Sequence, residues 1–389
     1  MRARLPLYIV GGAVRDLVLG RRLNDLDLIV EGDATRLAHS LVSRHGGRAT
    51  IHSKFGTAKW FLPKSLTPNP SIPDALDLIS ARSETYKHPA ALPTVKPGSL
   101  SDDLRRRDFT INALALRLDG PHFGELRDDL RGMDDLREGI VRVLHPGSFL
   151  DDPTRMYRAV RYAGRYGFRI AEDTLRLIPA AQPLVEKLSA QRIRHELDLI
   201  LDEPNAVSML SQLDKLDLLT VIHSALAGFS RSNLATIKSD DASLQDRTAR
   251  WALWLMHLTD QEIASLHERL HFTSDLLKIL LSASRLNVNL FAFAGLKPSQ
   301  VVELLDEYSI QAVEIVSYAV HDQEVKSVLT KYLSEWRHVQ PKTTGHDLKK
   351  RGIPPGPKYA EILRRLRTAW LDGEVRNEAE ERRILDAIL

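Results

Sequence analysis

The 389 residues include no cysteine, which removes disulfide scaffolds, thiolate metal sites, iron–sulfur clusters and every cysteine nucleophile. No apolar run reaches 18 residues, so no transmembrane helix is expected. The opening Met1-Arg2-Ala3-Arg4-Leu5-Pro6 lacks the form of a secretory signal, and a cytoplasmic protein is expected. Charge of one sign is also scarce: 54 Lys and Arg against 51 Asp and Glu leave +3, too little to announce a nucleic-acid binder by itself. Gly-x-x-x-x-Gly-Lys-Ser/Thr, Gly-x-Gly-x-x-Gly and Gly-x-Ser-x-Gly are all missing, so neither a P-loop, a dinucleotide fingerprint nor a serine-hydrolase elbow is available.

What is present reads as globular. Apolar residues make up 43% and charged residues 27%, and the length allows about two to four domains. From Leu7 to about Val143 short apolar runs alternate with turns and helical stretches: Leu7 to Val10, Leu26 to Val30, Thr57 to Phe61, Leu76 to Ile79 and Ile111 to Leu116. This predicts a mixed α/β domain. Beyond about Pro146 strand signals fade and helical periodicity runs to the end, which predicts an all-helical remainder. Thr67 to Pro73 holds three prolines and reads as an exposed loop. The basic residues are unevenly spread: Arg105 to Arg107, then Arg155, Arg158, Arg161, Arg165 and Arg169, and later Lys349 to Arg351 through Lys358 to Arg364, Arg365 and Arg367. Such clusters offer a surface to polyphosphate, or serve as solvated faces.

In Asn24-Asp25-Leu26-Asp27-Leu28-Ile29-Val30 side chains alternate, so Asp25 and Asp27 share one face and Leu26 and Leu28 the other. Two adjacent carboxylates suit a divalent cation with oxygen ligands, or a strand end in water. Upstream, the first strand runs into Gly11-Gly12-Ala13-Val14-Arg15-Asp16 and a short helix. Glycines at such a turn let backbone N–H groups approach a phosphate, with Arg15 adding charge. Asp152 and Arg155 stand three apart at the start of a helix; this spacing fits an N-cap and an i, i+3 ion pair, and also a pair of groups for reading a base. Arg158, Arg161 and Arg165 follow on one face of that helix.

These motifs, with Arg106-Arg107-Asp108-Phe109-Thr110-Ile111-Asn112-Ala113 and Asp151-Asp152-Pro153-Thr154-Arg155 in the same order, resemble the class II tRNA nucleotidyltransferase and poly(A) polymerase family. Phe55-Gly56-Thr57-Ala58, Arg192 to Leu197, and Gly345-His346-Asp347-Leu348 through Gly356-Pro357 to Glu374 resemble its other segments. The resemblance implies an α+β, multidomain protein: a DNA-polymerase-β-like head over residues 1–143, then an all-α neck over 144–206, body over 207–333 and tail over 334–389. It implies Mg²⁺-dependent transfer from CTP and ATP to the 3′ end of tRNA with release of pyrophosphate, building or repairing CCA. Asp25 and Asp27 would hold two Mg²⁺ ions, with Asp77 a third catalytic carboxylate or a solvated strand residue. Gly11, Gly12, Arg15, Arg107, Asp108, Asn112, Asp152, Arg155, Arg158 and Arg161 would bind the nucleotide. Cytosine and adenine each offer an amino donor beside a ring-nitrogen acceptor, and Asp152 with Arg155 would read that pair. Lys349, Lys350, Arg351, Lys358, Arg364 and Arg365 would grip the tRNA by phosphate and shape. No membrane and no protein partner is implied.

Two departures stand out. Ala81 to Pro93 replaces the Asp-Gly-x-Tyr-x-Asp-x-Arg-Arg-Pro loop of many CCA-adding members, and Asp151 stands where many have glutamate. The loop bears on the switch from CTP to ATP, so partial enzymes adding CC or only A, and a poly(A) polymerase, remain alternatives; a non-catalytic tRNA-binding protein is the rival of another class. His267-Glu268-Arg269-Leu270-His271 satisfies a zinc-protease pattern, but Leu266, Leu270 and Leu277 fit an ordinary amphipathic helix.

Overall fold

The computed structural model describes residues 5–23, 26–52, 56–67, 74–85, 87–91, 93–228, 246–293 and 295–389. It divides into two compact units, Met1–Ser224 and Ala225–Leu389.

The first unit is built on a seven-stranded sheet. Its strands are β1 (Leu7–Val10), β2 (Asp27–Val30), β3 (Arg48–His52), β4 (Thr57–Phe61), β5 (Ala75–Ser80), β8 (Ala115–Arg117) and β9 (Leu126–Arg127), in the order β3-β4-β5-β2-β1-β8-β9. A separate hairpin pairs β6 (Arg82–Thr85) with β7 (Thr94–Pro97). Every neighbouring pair in the large sheet is antiparallel except β2 with β5, which places Asp27 beside Asp77 in register. Alternation then sorts the strands' two faces. Leu28, Val30, Ala58, Trp60 and Leu78 pack under α2 (Ala34–His45), while Tyr8, Val10 and Ile29 pack against Leu100 and Leu104 of α3 (Leu100–Arg105). Asp27 shares the face of Ile29, so it stands at the end of the strand on the α3 side.

Helix α1 (Gly12–Val18) follows β1, and α4 (Gly132–Glu138) leads to the short β10 (Ile140–Val141). After α5 (Ser148–Asp151) comes α6 (Thr154–Tyr166), which buries Met156, Tyr157, Ala159 and Val160. The all-helical expectation needs one correction: β11 (Arg169–Ile170) pairs in parallel with β10, joined because Gly167 in left-handed conformation turns the chain out of α6. Helices α7 (Glu172–Leu175), α8 (Ile178–Ala181), α9 (Ala190–Leu201) and α10 (Ala206–Lys215) complete the unit. A second correction concerns Ile111 to Leu116. Thr110–Asn112 is a 3₁₀ turn and the strand begins only at Ala115.

The second unit is helical among its described residues: α11 (Arg247–Leu255), α12 (Asp260–Leu270), α13 (Ser274–Val288), α14 (Pro298–Leu305), α15 (Ile310–Ala319), α16 (Gln323–Ser334), α17 (Gly345–Lys350), α18 (Pro357–Leu371) and α19 (Glu378–Ile388). Leu266 and Leu270 of α12 are buried, His267 stacks on Phe272, and the helix ends with His271 at φ 50°, as an amphipathic structural helix does. Among the described residues no helix is long and apolar enough to cross a membrane. The expected loop from Thr67 to Pro73 lies outside the described residues from 68 onward, as do Asp25 and Phe55.

Candidate active site

The turn after β1 is closed by Gly11, at φ 67° and ψ −124°. Its N–H donates to the Leu114 carbonyl at 2.9 Å, and a Cβ there would lie 2.3 Å from Nη1 of Arg107. The conformation favours glycine, and any side chain there would displace the tip of Arg107. Gly12 opens α1. Arg15, expected at the phosphates, is instead buried: Nη1 donates to Asn112 Oδ1, Nε donates to Asp16 Oδ1 at 2.9 Å, and the guanidinium lies 4.5 Å from the Tyr166 ring centre. In this position Arg15 and Asn112 brace the glycine turn against the second motif.

Asp27 closes the N-terminal end of β2 and lies on the wall of a cavity of about 380 Å³. Asp77, its register partner, accepts from Lys59 Nζ at 3.1 Å and is not part of that wall. Asp25, two residues upstream, lies outside the described residues.

The second motif adds Arg106, Arg107 and Asp108 to the wall. Fully buried Asp103, in α3, accepts from Arg106 Nε at 2.9 Å and Nη2 at 2.7 Å through one oxygen, and from Arg107 Nη2 at 3.1 Å through the other. Glu84 of β6 holds the remaining terminal nitrogen of Arg106 at 3.1 Å. Asp108 accepts from its neighbour Phe109 N and from Asn112 Nδ2, and from Arg158 Nε at 2.9 Å and Nη2 at 2.7 Å. Burial pushes the Asp108 carboxyl up, but the Arg158 guanidinium and the Asn112 amide outweigh it and hold the group below the usual carboxylate range. Burial likewise opposes the charge of Arg158, and Asp108 restores it, raising the guanidinium above its ordinary value.

Helix α6 brings the rest. Asp152, extended at φ −139° and ψ 97°, caps the helix start ahead of helical Pro153, its Oδ1 accepting from Thr154 N and Oγ1. It does not pair with Arg155. Its ion pair is with Arg192 of α9 at 2.6 Å, whereas Arg155 is buried and donates to Ser148 Oγ and to the Arg106 carbonyl, both at 2.7 Å. Arg161 is buried beside Glu196, 3.7 Å away.

The cavity thus joins Asp27, Arg107, Asp108, Asp152, Arg155 and Arg158, all anticipated from sequence. Gly11, Gly12, Arg15, Asn112, Arg161 and Asp77 are not among the residues that line it. It adds Glu84, Arg106 and Arg192, which were not singled out as site residues. Arg106 stood within a recognised motif, and Arg192 in a recognised segment; Glu84 gave no signal because it lies in the stretch that departs from the family pattern. Five guanidinium groups on one wall system suit a polyanion such as a triphosphate. Carboxylate oxygens are the donors Mg²⁺ takes, and Asp27 offers them beside those arginines.

In the second unit Lys349, Lys350, Arg351, Lys358, Arg364 and Arg365 are all exposed. Lys358, Arg364 and Arg365 line one groove of about 760 Å³ with Glu303, Asp306 and Glu361. Arg351 is paired with Asp386, and Arg365 with Glu374 at 2.8 Å.

Residues 7–142 match the family model described as the poly A polymerase head domain, and residues 167–229 that of the probable RNA and SrmB-binding site of polymerase A. The A-adding tRNA nucleotidyltransferase of Halalkalibacterium halodurans is 32% identical over 97% of this chain and 88% of its own length. The chain belongs to the tRNA nucleotidyltransferase and poly(A) polymerase family. A second family member, the A-adding tRNA nucleotidyltransferase of Geobacter sulfurreducens, is 36% identical over 98% of this chain, which spans 45% of that longer protein. Among solved members, the Thermotoga maritima CCA-adding enzyme complexed with tRNA_CCA superposes with a TM-score of 0.77 at 28% identity, over 99% of this chain and 92% of that one.

Proposed function

We propose that the chain is a tRNA nucleotidyltransferase that transfers nucleoside monophosphates from ATP or CTP to the 3′ end of tRNA without a nucleic-acid template. The observation that carries this reading is the cavity whose wall joins Asp27 from the sheet to Arg107, Arg158, Asp152 and Arg155. Arg107 and Arg158 bind the triphosphate. Asp152 accepts from the base's amino group, and Arg155 donates to the adjacent ring nitrogen; guanine and uracil, with a keto oxygen beside an N–H, leave both groups unpaired. The 3′-oxygen of the tRNA attacks the α-phosphorus, the bond to the bridging oxygen of the β-phosphate breaks, and pyrophosphate leaves. Asp27 and Asp25 would hold Mg²⁺, which when bound would lower the pKa of the attacking hydroxyl and neutralise the leaving oxygens. The exposed basic residues of the second unit hold tRNA phosphates.

Among the possible products, addition of the terminal A alone is favoured. Two relatives that align with nearly the whole chain bear the A-adding name, and Ala81 to Pro93 departs from the loop of many CCA-adding members. Three tRNA transcripts ending before CCA, after C and after CC, each offered CTP, ATP or both with Mg²⁺, test this at one-nucleotide resolution. A single A added only to the CC-ending transcript is expected. Addition of C, C and A would restore the full CCA-adding reading, CC alone would make it the complementary partial enzyme, long A tails would make it a poly(A) polymerase, and no incorporation would overturn the catalytic reading.

A further inference from the structure

The residue that holds Asp152 is not its neighbour on the helix. One carboxylate oxygen, Oδ1, accepts from Thr154 N at 2.9 Å, from Thr154 Oγ1 at 2.6 Å and from Arg192 Nη2 at 2.6 Å. All three donors converge on that one atom, and Oδ2 takes none of them. Arg192 comes from a different element, the first turn of α9, where Ser189 caps the helix and accepts from the Arg192 backbone N–H. Both side chains lie on the wall of the same cavity and are about a quarter exposed, 28% for Arg192 and 25% for Asp152. Arg155 does not hold Asp152: its two terminal nitrogens each donate one N–H elsewhere, to Ser148 Oγ and to the Arg106 carbonyl.

We propose that Arg192 is a positioning residue for base selection: by holding Oδ1 of Asp152 it presents Oδ2 to the base and fixes the plane of the carboxylate. The proposal rests on the base-reading role given to Asp152 above. Its physical basis is the looseness of the alternative. The terminal torsion of an aspartate is broad and roughly two-fold, so a carboxylate held only through its own helix turn can swing. A charge-assisted bond from a second element removes that freedom, and Arg192, anchored in α9, is pre-organised to make it. A carboxylate with one oxygen committed and one presented accepts a single amino hydrogen in a defined direction; a keto oxygen placed there meets an acceptor. Selection thereby depends on the relative placement of α6 and α9, not on α6 alone.

The test uses the full chain with Arg192→Ala, Arg192→Lys, Asp152→Ala and the Arg192→Ala/Asp152→Ala double variant. Thermal melts confirm folding, and kcat and KM are measured for whichever nucleotide is incorporated, ATP or CTP, against its keto competitor, GTP or UTP. For Arg192→Ala, a rise in KM of about tenfold and a fall of about tenfold in the preference for the correct base are expected, with kcat within about twofold. Arg192→Lys should recover part of the preference, because an ammonium can make the one bond to Oδ1 without the planar fork that aims it. The double variant should be no less selective than Asp152→Ala alone. Selectivity unchanged in Arg192→Ala while Asp152→Ala loses it would overturn the proposal, as would additive losses, which would make Arg192 an independent contact. Should Arg192→Ala not fold, Arg192→Met, which keeps the apolar stem and removes the donors, decides the matter: selectivity equal to that of the parent chain, beside a loss in Asp152→Ala, overturns it. Selectivity retained in Asp152→Ala would instead overturn the base-reading role itself.

Discussion

Asp27 and Asp77 are register partners across β2 and β5, the parallel pair in the large sheet. The strands give both carboxylates the same face, yet their surroundings differ. Asp27 lies on the wall of the arginine-lined cavity, while Asp77 is tied to Lys59 and 45% exposed. Asp27→Asn is therefore expected to lower nucleotide incorporation by about a thousandfold or more, several kcal/mol of barrier. Asp77→Asn should cost about tenfold or less and, as one half of an exposed ion pair, shift stability by about 1 kcal/mol at most. Single-turnover incorporation beside a tRNA-binding assay separates them; equal losses would place Asp77 among the catalytic carboxylates.

Gly11→Ala meets two obstacles at once, a positive φ and the Arg107 guanidinium. The positive-φ backbone alone costs about 1–3 kcal/mol. The tip of Arg107 must also move, which disturbs a group proposed to bind the triphosphate. A lower melting temperature together with a raised KM for the nucleotide is expected; a lower melting temperature with KM unchanged would remove Arg107 from that role.

The Asp108–Arg158 pair makes stability pH-dependent with a definite sign. The folded pKa of Asp108 lies below the unfolded value of about 4. Its contribution is therefore complete above that value and is lost as pH falls through the folded pKa. Asp108→Asn should destabilise the protein by about 3 kcal/mol at pH 7, since it leaves a largely buried guanidinium without its main partner. Denaturant titrations from pH 7 to pH 3 should show the gap between parent and variant narrowing only below about pH 4. A constant gap across that range would mean that the pair contributes little through charge.

Basic residues of the second unit should contribute unequally to tRNA binding. Lys349 and Lys350 are exposed at the end of α17, whereas Arg351 next to them is already paired with Asp386. Replacing both lysines with alanine is expected to weaken binding and to reduce the slope of log K against log salt by about 1 for each phosphate no longer neutralised. Arg351→Ala should change the slope less. Fluorescence titrations of tRNA at several salt concentrations provide the measurement, and identical slopes for all three chains would place the RNA elsewhere.

Where periodicity was clean, the fold was legible. β1, β2, β4 and β5 stand within a residue of the expected positions, because each is a short apolar run packed under α2, α3 or both. β3 escaped notice: at the sheet edge, Arg48–His52 shows no core-facing run, only half-buried Ala49 and Ile51 between exposed neighbours. The stretch from Asp108 to Ala115 is buried continuously, so no period marks where its 3₁₀ turn ends and β8 begins. In the site, residue types were legible and their partners were not. Spacing joined Asp152 to Arg155, three residues on, whereas the actual partner comes from α9 and the actual anchors of Arg155 are Ser148 and a backbone carbonyl. Sequence separation says nothing of such tertiary choices.

Asp103 lies out of reach of solvent and holds the heads of both Arg106 and Arg107. The two longest side chains of that wall thus surrender their rotameric freedom when the chain folds, not when a ligand arrives. On the proposed reading, an incoming triphosphate would meet charges already in place and need not immobilise them, so its affinity would be spared the roughly 0.5–1.5 kcal/mol that each mobile side chain would otherwise subtract. A carboxylate outside the cavity wall would then set how tightly the triphosphate is held.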